Sequence, residues 1–134
     1  MSYEILPHTA DIGLEARASS LPELLSEAVR GLAAIILDAE PPASDRTERI
    51  EIDANDLEDL VVQFLNECLY RYESSGELAV AATLKSVTPV RAEGEIAVIL
   101  DPDAGGPMVK AVTYHGLIVN RGANGWRTRV YLDV

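Results

Sequence analysis

Two aspartates near opposite ends of the chain, Asp11 and Asp133, are the carboxylates whose placement could do chemistry. Asp11 follows the corner His8-Thr9-Ala10, and Asp133 stands one residue before the main-chain carboxylate of Val134. If those two ends meet, three oxygen-bearing groups converge, the ligand type that hard cations such as calcium and magnesium prefer. Carboxylates so close would otherwise repel or hold a proton. Spacing alone favours the plainer reading, a turn-capping aspartate at 11 and a solvated one at 133. Lys110 is a second candidate. It interrupts an apolar run of Met108, Val109, Ala111 and Val112, where it either discourages strand-edge pairing or meets a partner or the carboxylates. Arg127, Arg129 and Tyr131 alternate on one face of the last strand. They resemble a nucleic-acid patch, but on so acidic a chain the arginines have carboxylates of their own to pair with.

Other chemistries lack their residues. No G-x-x-x-x-G-K-[ST] phosphate loop and no G-x-S-x-G elbow occurs. The two histidines, His8 and His115, lack the partner spacing of a metalloprotease or zinc finger. A lone cysteine, Cys68, excludes an internal disulfide and a cysteine-rich zinc site. It lies on an apolar helical stripe and reads as an inert buried thiol. The formal net charge of -11 opposes phosphate backbones, so direct high-affinity RNA or DNA binding is not expected. The acidity serves solubility or complements a basic partner. No apolar run reaches the roughly 20 residues of a membrane span, and Met1-Ser2-Tyr3-Glu4 does not open a signal sequence. A soluble, cytoplasmic protein is expected.

The elements that must position these residues follow from periodicity. Leu21, Leu24, Leu25, Ala28, Val29, Leu32, Ile35 and Ile36 form one helical stripe. Ser20-Leu21-Pro22-Glu23 caps its start, and Pro41-Pro42 ends any continuation. Leu57, Leu60, Val61, Phe64, Leu65, Cys68, Leu69 and Tyr72 form a second stripe, with Asn55 and Glu58 as the expected capping pair and Gly76 as its stop. The remainder reads as strands at 3–7, 12–18, 49–53, 78–90, 95–100, 108–119 and 126–133. Turns are expected at Ala92-Glu93-Gly94 and across Asn120 to Gly125, and a long loop at 101–107. The order predicts an α+β fold in one domain spanning 1–134, with two helices against one face of a mainly antiparallel sheet. Leu25, Leu32, Phe64 and Leu65 are expected in its core.

Four segments, taken in order, resemble the archease family. They are His8-Thr9-Ala10-Asp11-Ile12-Gly13, the helical run Asp59 to Tyr70, Lys110-Ala111-Val112-Thr113-Tyr114-His115, and Gly125-Trp126 leading to Val130-Tyr131-Leu132-Asp133-Val134. The similarity runs nearly end to end. It implies two nested strand-helix-strand-strand units. It also implies an accessory protein, not an enzyme, that serves the tRNA-splicing ligase. That ligase joins RNA ends bearing a 3′-phosphate or 2′,3′-cyclic phosphate to a 5′-hydroxyl. The family speeds guanylylation of the ligase and lets it turn over repeatedly. By the same resemblance Asp11, Asp133 and the Val134 carboxylate hold a divalent metal, with calcium expected, while Lys110 and His8 face the partner. Two other readings compete: a stand-alone metal-dependent phosphoesterase, for which base and phosphate cradle are missing, and a scaffold without metal.

Overall fold

The first helix begins where its sequence says it should. The Ser20 side chain accepts a hydrogen bond from the Glu23 amide at 3.4 Å, and its hydroxyl donates to the Glu23 carboxylate at 2.9 Å. This caps α1 (Leu21–Leu37), with Pro22 in the first turn where no donor is missed. The protein is described by a computed structural model over residues 1–7, 11–100 and 103–134. His8, Thr9, Ala10, Asp101 and Pro102 lie outside the described residues.

In the second helix, α2 (Leu57–Ser75), the cap falls one residue later than the Asn55–Glu58 expectation. Asp56 accepts from the Asp59 amide at 2.8 Å, and the Asp59 carboxylate reaches back to the Asn55 amide at 2.9 Å. Gly76 closes the helix at φ 76°, a left-handed conformation that a glycine adopts without a Cβ penalty.

Seven strands complete the described fold: β1 (Ser2–Pro7), β2 (Asp11–Ala18), β3 (Thr47–Asp53), β4 (Glu77–Thr88), β5 (Arg91–Leu100), β6 (Ala111–Gly122) and β7 (Gly125–Asp133). They form two antiparallel sheets, in orders β1-β2-β7-β6 and β3-β5-β4. The two orders repeat one plan. In β2-α1-β6-β7 and in β3-α2-β4-β5 the last strand lies between the first and third. The second unit is inserted between α1 and β6 of the first, which is the nested pair of strand-helix-strand-strand units.

The helices therefore serve two sheets. α1 packs against β1, β2 and β7 of the first sheet and β4 of the second, and α2 packs against β6 as well as β3, β4 and β5. Leu25, Leu32, Phe64 and Leu65 are buried in the core, as expected. α1 is buried well beyond its apolar stripe: Ser26 and Glu27 are also inside. Both have partners. Ser26 accepts from the Ala82 amide at 3.0 Å, and Glu27 pairs with Arg30 at 3.2 Å. Gly31 allows the close approach to β2, since a Cβ there would sit 2.4 Å from a Leu14 methyl.

The β4–β5 turn falls at Pro89-Val90, not at Ala92–Gly94. Gly94 has another task. It lies inside β5 beside the bulge between Leu84 and Ser86, and a Cβ there would meet the Thr83 carbonyl at 2.4 Å. β6 begins at Ala111, not Met108, because the preceding segment is held elsewhere: the Gly106 amide donates to the Ile36 carbonyl at 3.0 Å and caps the end of α1. Cys68 is buried, and burial pushes its thiol up to about 12, so it is the inert thiol expected. No helix among the described residues is long and apolar enough to cross a membrane.

Candidate metal centre

Strand pairing brings the two ends of the chain together. β2 and β7 are neighbours, and their register sets Asp11 directly opposite Asp133. Directly opposed residues share a face, with Cβ atoms about 4.5–5.5 Å apart. Alternation settles which face. Leu14, Ala16, Val130 and Leu132 point to the core, so Asp11 and Asp133 belong to the opposite face of the sheet. Asp133, Val134 and Lys110 are exposed, and Asp11 is half-buried.

Lys110 is brought to the same tip by its backbone. It stands just before β6, and its amide donates to the Asp133 carbonyl at 2.7 Å. Ala111 is the cross-strand partner of Asp133 on the other side of β7. Asp11, Lys110, Asp133 and Val134 thus meet at one end of the first sheet. His8 lies outside the described residues, and His115 sits in an irregular part of β6.

The donor set suits a hard cation in kind: two carboxylates in register, followed by the main-chain carboxylate of Val134. Among the described residues no three His, Cys, Asp or Glu side chains gather to hold a metal. Among the described residues this tip carries no histidine or cysteine, the nitrogen and sulfur ligands of a zinc-type site.

Sequence reasoning missed the support behind this tip. β6 is the edge strand, and its pairing with β7 is interrupted between Thr113 and Ile118. Asn66 of α2 covers that edge. Its side-chain amide donates to the Val112 carbonyl at 3.0 Å and accepts from the Val112 amide at 2.9 Å, as a neighbouring strand would. Two turns earlier in α2, the Asp59 carboxylate accepts a hydrogen bond from the Tyr114 hydroxyl. That bond, joined by the Asn55 amide, holds the Asp59 carboxyl below its usual range and raises the Tyr114 phenol. In sequence Asp59 and Asn66 look no different from the other polar residues of α2, Glu58, Gln63, Glu67 and Arg71.

Comparison with known proteins decides the family. The family model described as "Archease protein family (MTH1598/TM1083)" matches residues 3–134. The chain belongs to the archease family. Among curated archeases it is similar to that of Methanopyrus kandleri, at 32% identity over all of both chains. It is similar to the Methanosarcina mazei archease at 27% identity, covering 98% of this chain and 95% of that one. A probable archease of Mycobacterium tuberculosis is 33% identical, covering 98% of this chain and 74% of the relative. The archease fold also matches a solution structure of protein 1598 from Methanobacterium thermoautotrophicum, with TM-score 0.77 and 21% identity over 99% of each chain. A Thermotoga maritima archease, described as a possible chaperone, matches with TM-score 0.67 and 22% identity over 96% of this chain and 94% of that one.

Proposed function

We propose that the protein is a metal-binding accessory factor. It activates the tRNA-splicing ligase that joins 3′-phosphate or 2′,3′-cyclic-phosphate RNA ends to 5′-hydroxyl ends, and it is not itself an enzyme. Family membership supports the accessory role. The observation that carries the site is the register of Asp11 against Asp133 at an exposed tip, with Lys110 tied to the same rung. Asp11, Asp133 and the Val134 main-chain carboxylate would hold one divalent cation, calcium by the family resemblance, and the bound ion would bring positive charge to the tip. Lys110, and His8 three residues before Asp11 in sequence, would meet the ligase. A tip of this kind can enter a cleft, help set metal and nucleotide for guanylylation, and so promote repeated turnover. The proposed setting is the cytoplasm.

The test pairs cation binding with ligase stimulation. Asp11→Ala should abolish calcium binding in calorimetry and sharply reduce stimulation of the cognate ligase in guanylylation and multiple-turnover joining. The fold should survive, since a half-buried strand-end carboxylate carries no core packing. Extending the chain beyond Val134 should do similar harm, because the terminal carboxylate becomes a peptide carbonyl. Stimulation by both variants equal to the parent's would end the metal-tip mechanism. Nucleotide hydrolysis by the protein without ligase would favour a phosphoesterase instead.

A further inference from the structure

At the end of the first sheet opposite the Asp11–Asp133 tip, the β6–β7 hairpin borders an open cleft of about 310 Å³, lined among others by Arg17, Asn120, Gly122 and Arg127. Its polar side chains come from one rung. Arg127 of β7 stands directly opposite Arg17 of β2 on one side and Asn120 of β6 on the other. Neighbouring strands are about 4.8 Å apart, so the three side chains rise from a width of roughly 10 Å. By the alternation that puts Ala16 and Thr128 inside, all three lie on the face turned away from the helices. Gly122 lies on that face too, two residues from Asn120, and keeps the cleft open: a Cβ there would meet no atom within 4 Å.

Like charges directly opposed on adjacent strands repel, and Arg17 against Arg127 is such a pair. Its counter-charge is only partly supplied. Among the described residues, Glu15 is the one carboxylate within 4 Å of either guanidinium. Its two oxygens are already occupied: Arg17 donates twice to one, at 2.8 and 3.2 Å, and Arg129 twice to the other, at 2.9 and 3.2 Å. Arg127 approaches Glu15 only to 3.7 Å, beyond a hydrogen bond. Arg17 uses two of its five N–H donors on Glu15. No acid lines the cleft itself. The charge is local, and the face as a whole is not basic: Glu4, Asp11, Glu15 and Asp133 share it and outnumber Arg17, Arg127 and Arg129. Asp11 and Asp133 stand six residues along their strands from the Arg17–Arg127 rung, about 20 Å away. That is more than twice the screening length of about 8 Å at physiological salt. They would repel an extended polyanion laid along the face, but they leave a compact anion in the cleft nearly unaffected.

We propose that this cleft binds the phosphate group of a small phosphorylated molecule, with Arg127 and Arg17 on its oxygens and the Asn120 amide donating from the third strand. Two guanidinium forks on neighbouring strands suit a doubly charged, tetrahedral group with three free oxygens. A carboxylate has two oxygens and one charge, and Glu15 already shows how few of these donors it satisfies. The volume stands at the lower end of small-molecule sites, about 300–1,000 Å³, which leaves room for the phosphate and a carrier the size of a pentose. This reading depends neither on the metal tip nor on the ligase.

The test titrates the intact protein with inorganic phosphate and with ribose 5-phosphate at constant ionic strength, with chloride and acetate as parallel probes, followed by NMR and thermal unfolding. Both phosphates should move the amides of Arg17 and of residues 120–127 saturably, ribose 5-phosphate at the lower concentration. Each should raise the parent's Tm, as binding to the folded state requires. Arg127→Gln should weaken binding about tenfold or more. Without phosphate this variant should unfold at the parent's Tm or above, because it relieves the opposed charges, and phosphate should no longer raise its Tm. Gly122→Leu adds bulk to the open side without touching a charge and should also weaken binding. Shifts that fail to saturate, or that chloride reproduces at equal ionic strength, would reduce the cleft to charge screening. Shifts as large from acetate would make it a surface for carboxylates. Parent-like phosphate binding by Arg127→Gln would place the anion elsewhere. Each of these three overturns the site.

Discussion

Asn66→Ala removes both hydrogen bonds that close the edge of β6. Val112 is 3% exposed, and its amide and carbonyl are the groups that Asn66 satisfies. A net hydrogen bond is worth about 0.5–1.5 kcal/mol, and an orphaned buried group costs about 1–3 kcal/mol. Asn66 is half-buried, so water can reach part of the vacated space. The expected loss is about 2–3 kcal/mol, a drop of roughly 6–15 °C in Tm for a chain of this size. Asn66→Asp sharpens the test. A carboxylate can still accept from the Val112 amide but faces the Val112 carbonyl with no proton to give. Protonation restores a donor, so its deficit relative to the parent should shrink as pH falls through the introduced group's pKa. Denaturant unfolding of the three proteins across pH 7 to 4, with hydrogen exchange at Val112, measures both effects. An Asn66→Ala variant within about 0.5 kcal/mol of the parent, or an Asn66→Asp deficit indifferent to pH, would refute the edge-closing role.

Glu15 gives a second pH signature. Burial raises its pKa, but the hydrogen bonds and charges of Arg17 and Arg129 together outweigh burial and hold it below the usual range. Its stabilisation is therefore full above the unfolded carboxyl pKa and lost as pH falls through the depressed folded value. Glu15→Gln should cost about 1–3 kcal/mol at pH 7. Chemical unfolding should show the gap to the parent narrowing below about pH 4. Gly106→Ala should cost about 1–3 kcal/mol in the same measurement, since a Cβ there would sit 1.9 Å from the Ile35 carbonyl and break the cap on α1.

Both helices were legible because each is long, strongly periodic and chemically capped. The doubled unit was legible as a theme, yet one sheet was expected where two formed. The misleading signal was the one-sided stripe of α1. The informative one was its small residues: Ala28, Gly31, Ala33 and Ala34 let the helix be enclosed, with Ser26 and Glu27 finding partners inside. Gly94 was read as a turn because a glycine opposite a bulge looks locally like one in a hairpin. The α2 cap slipped by one residue because Asn55 and Asp56 are both competent caps, and Asp59 selects between them. At the tip, residue types and chain ends singled out Asp11 and Asp133 as candidates, the family resemblance made them metal ligands, and strand register sets the two opposite each other. The Asn66 clamp had no local signature, since its partner is a backbone 46 positions away.

The nesting of one unit inside the other has a consequence for biogenesis. Residues 47–100 contain a complete strand-helix-strand-strand unit, and they leave the ribosome while β2, paired with β1, still lacks its second neighbour, β7. β7 is the strand that joins β2 to β6, so the first sheet closes only after residues 125–133 have been made. Until then Leu14 and Ala16 line an unfinished sheet, and a chain broken off before β7 offers that apolar surface and a raw strand edge to chaperones and proteases. Because Asp11 meets Asp133 in that last step, the tip and the finished fold arrive together. A chain that stops short of β7 has no Asp11–Asp133 pair at all.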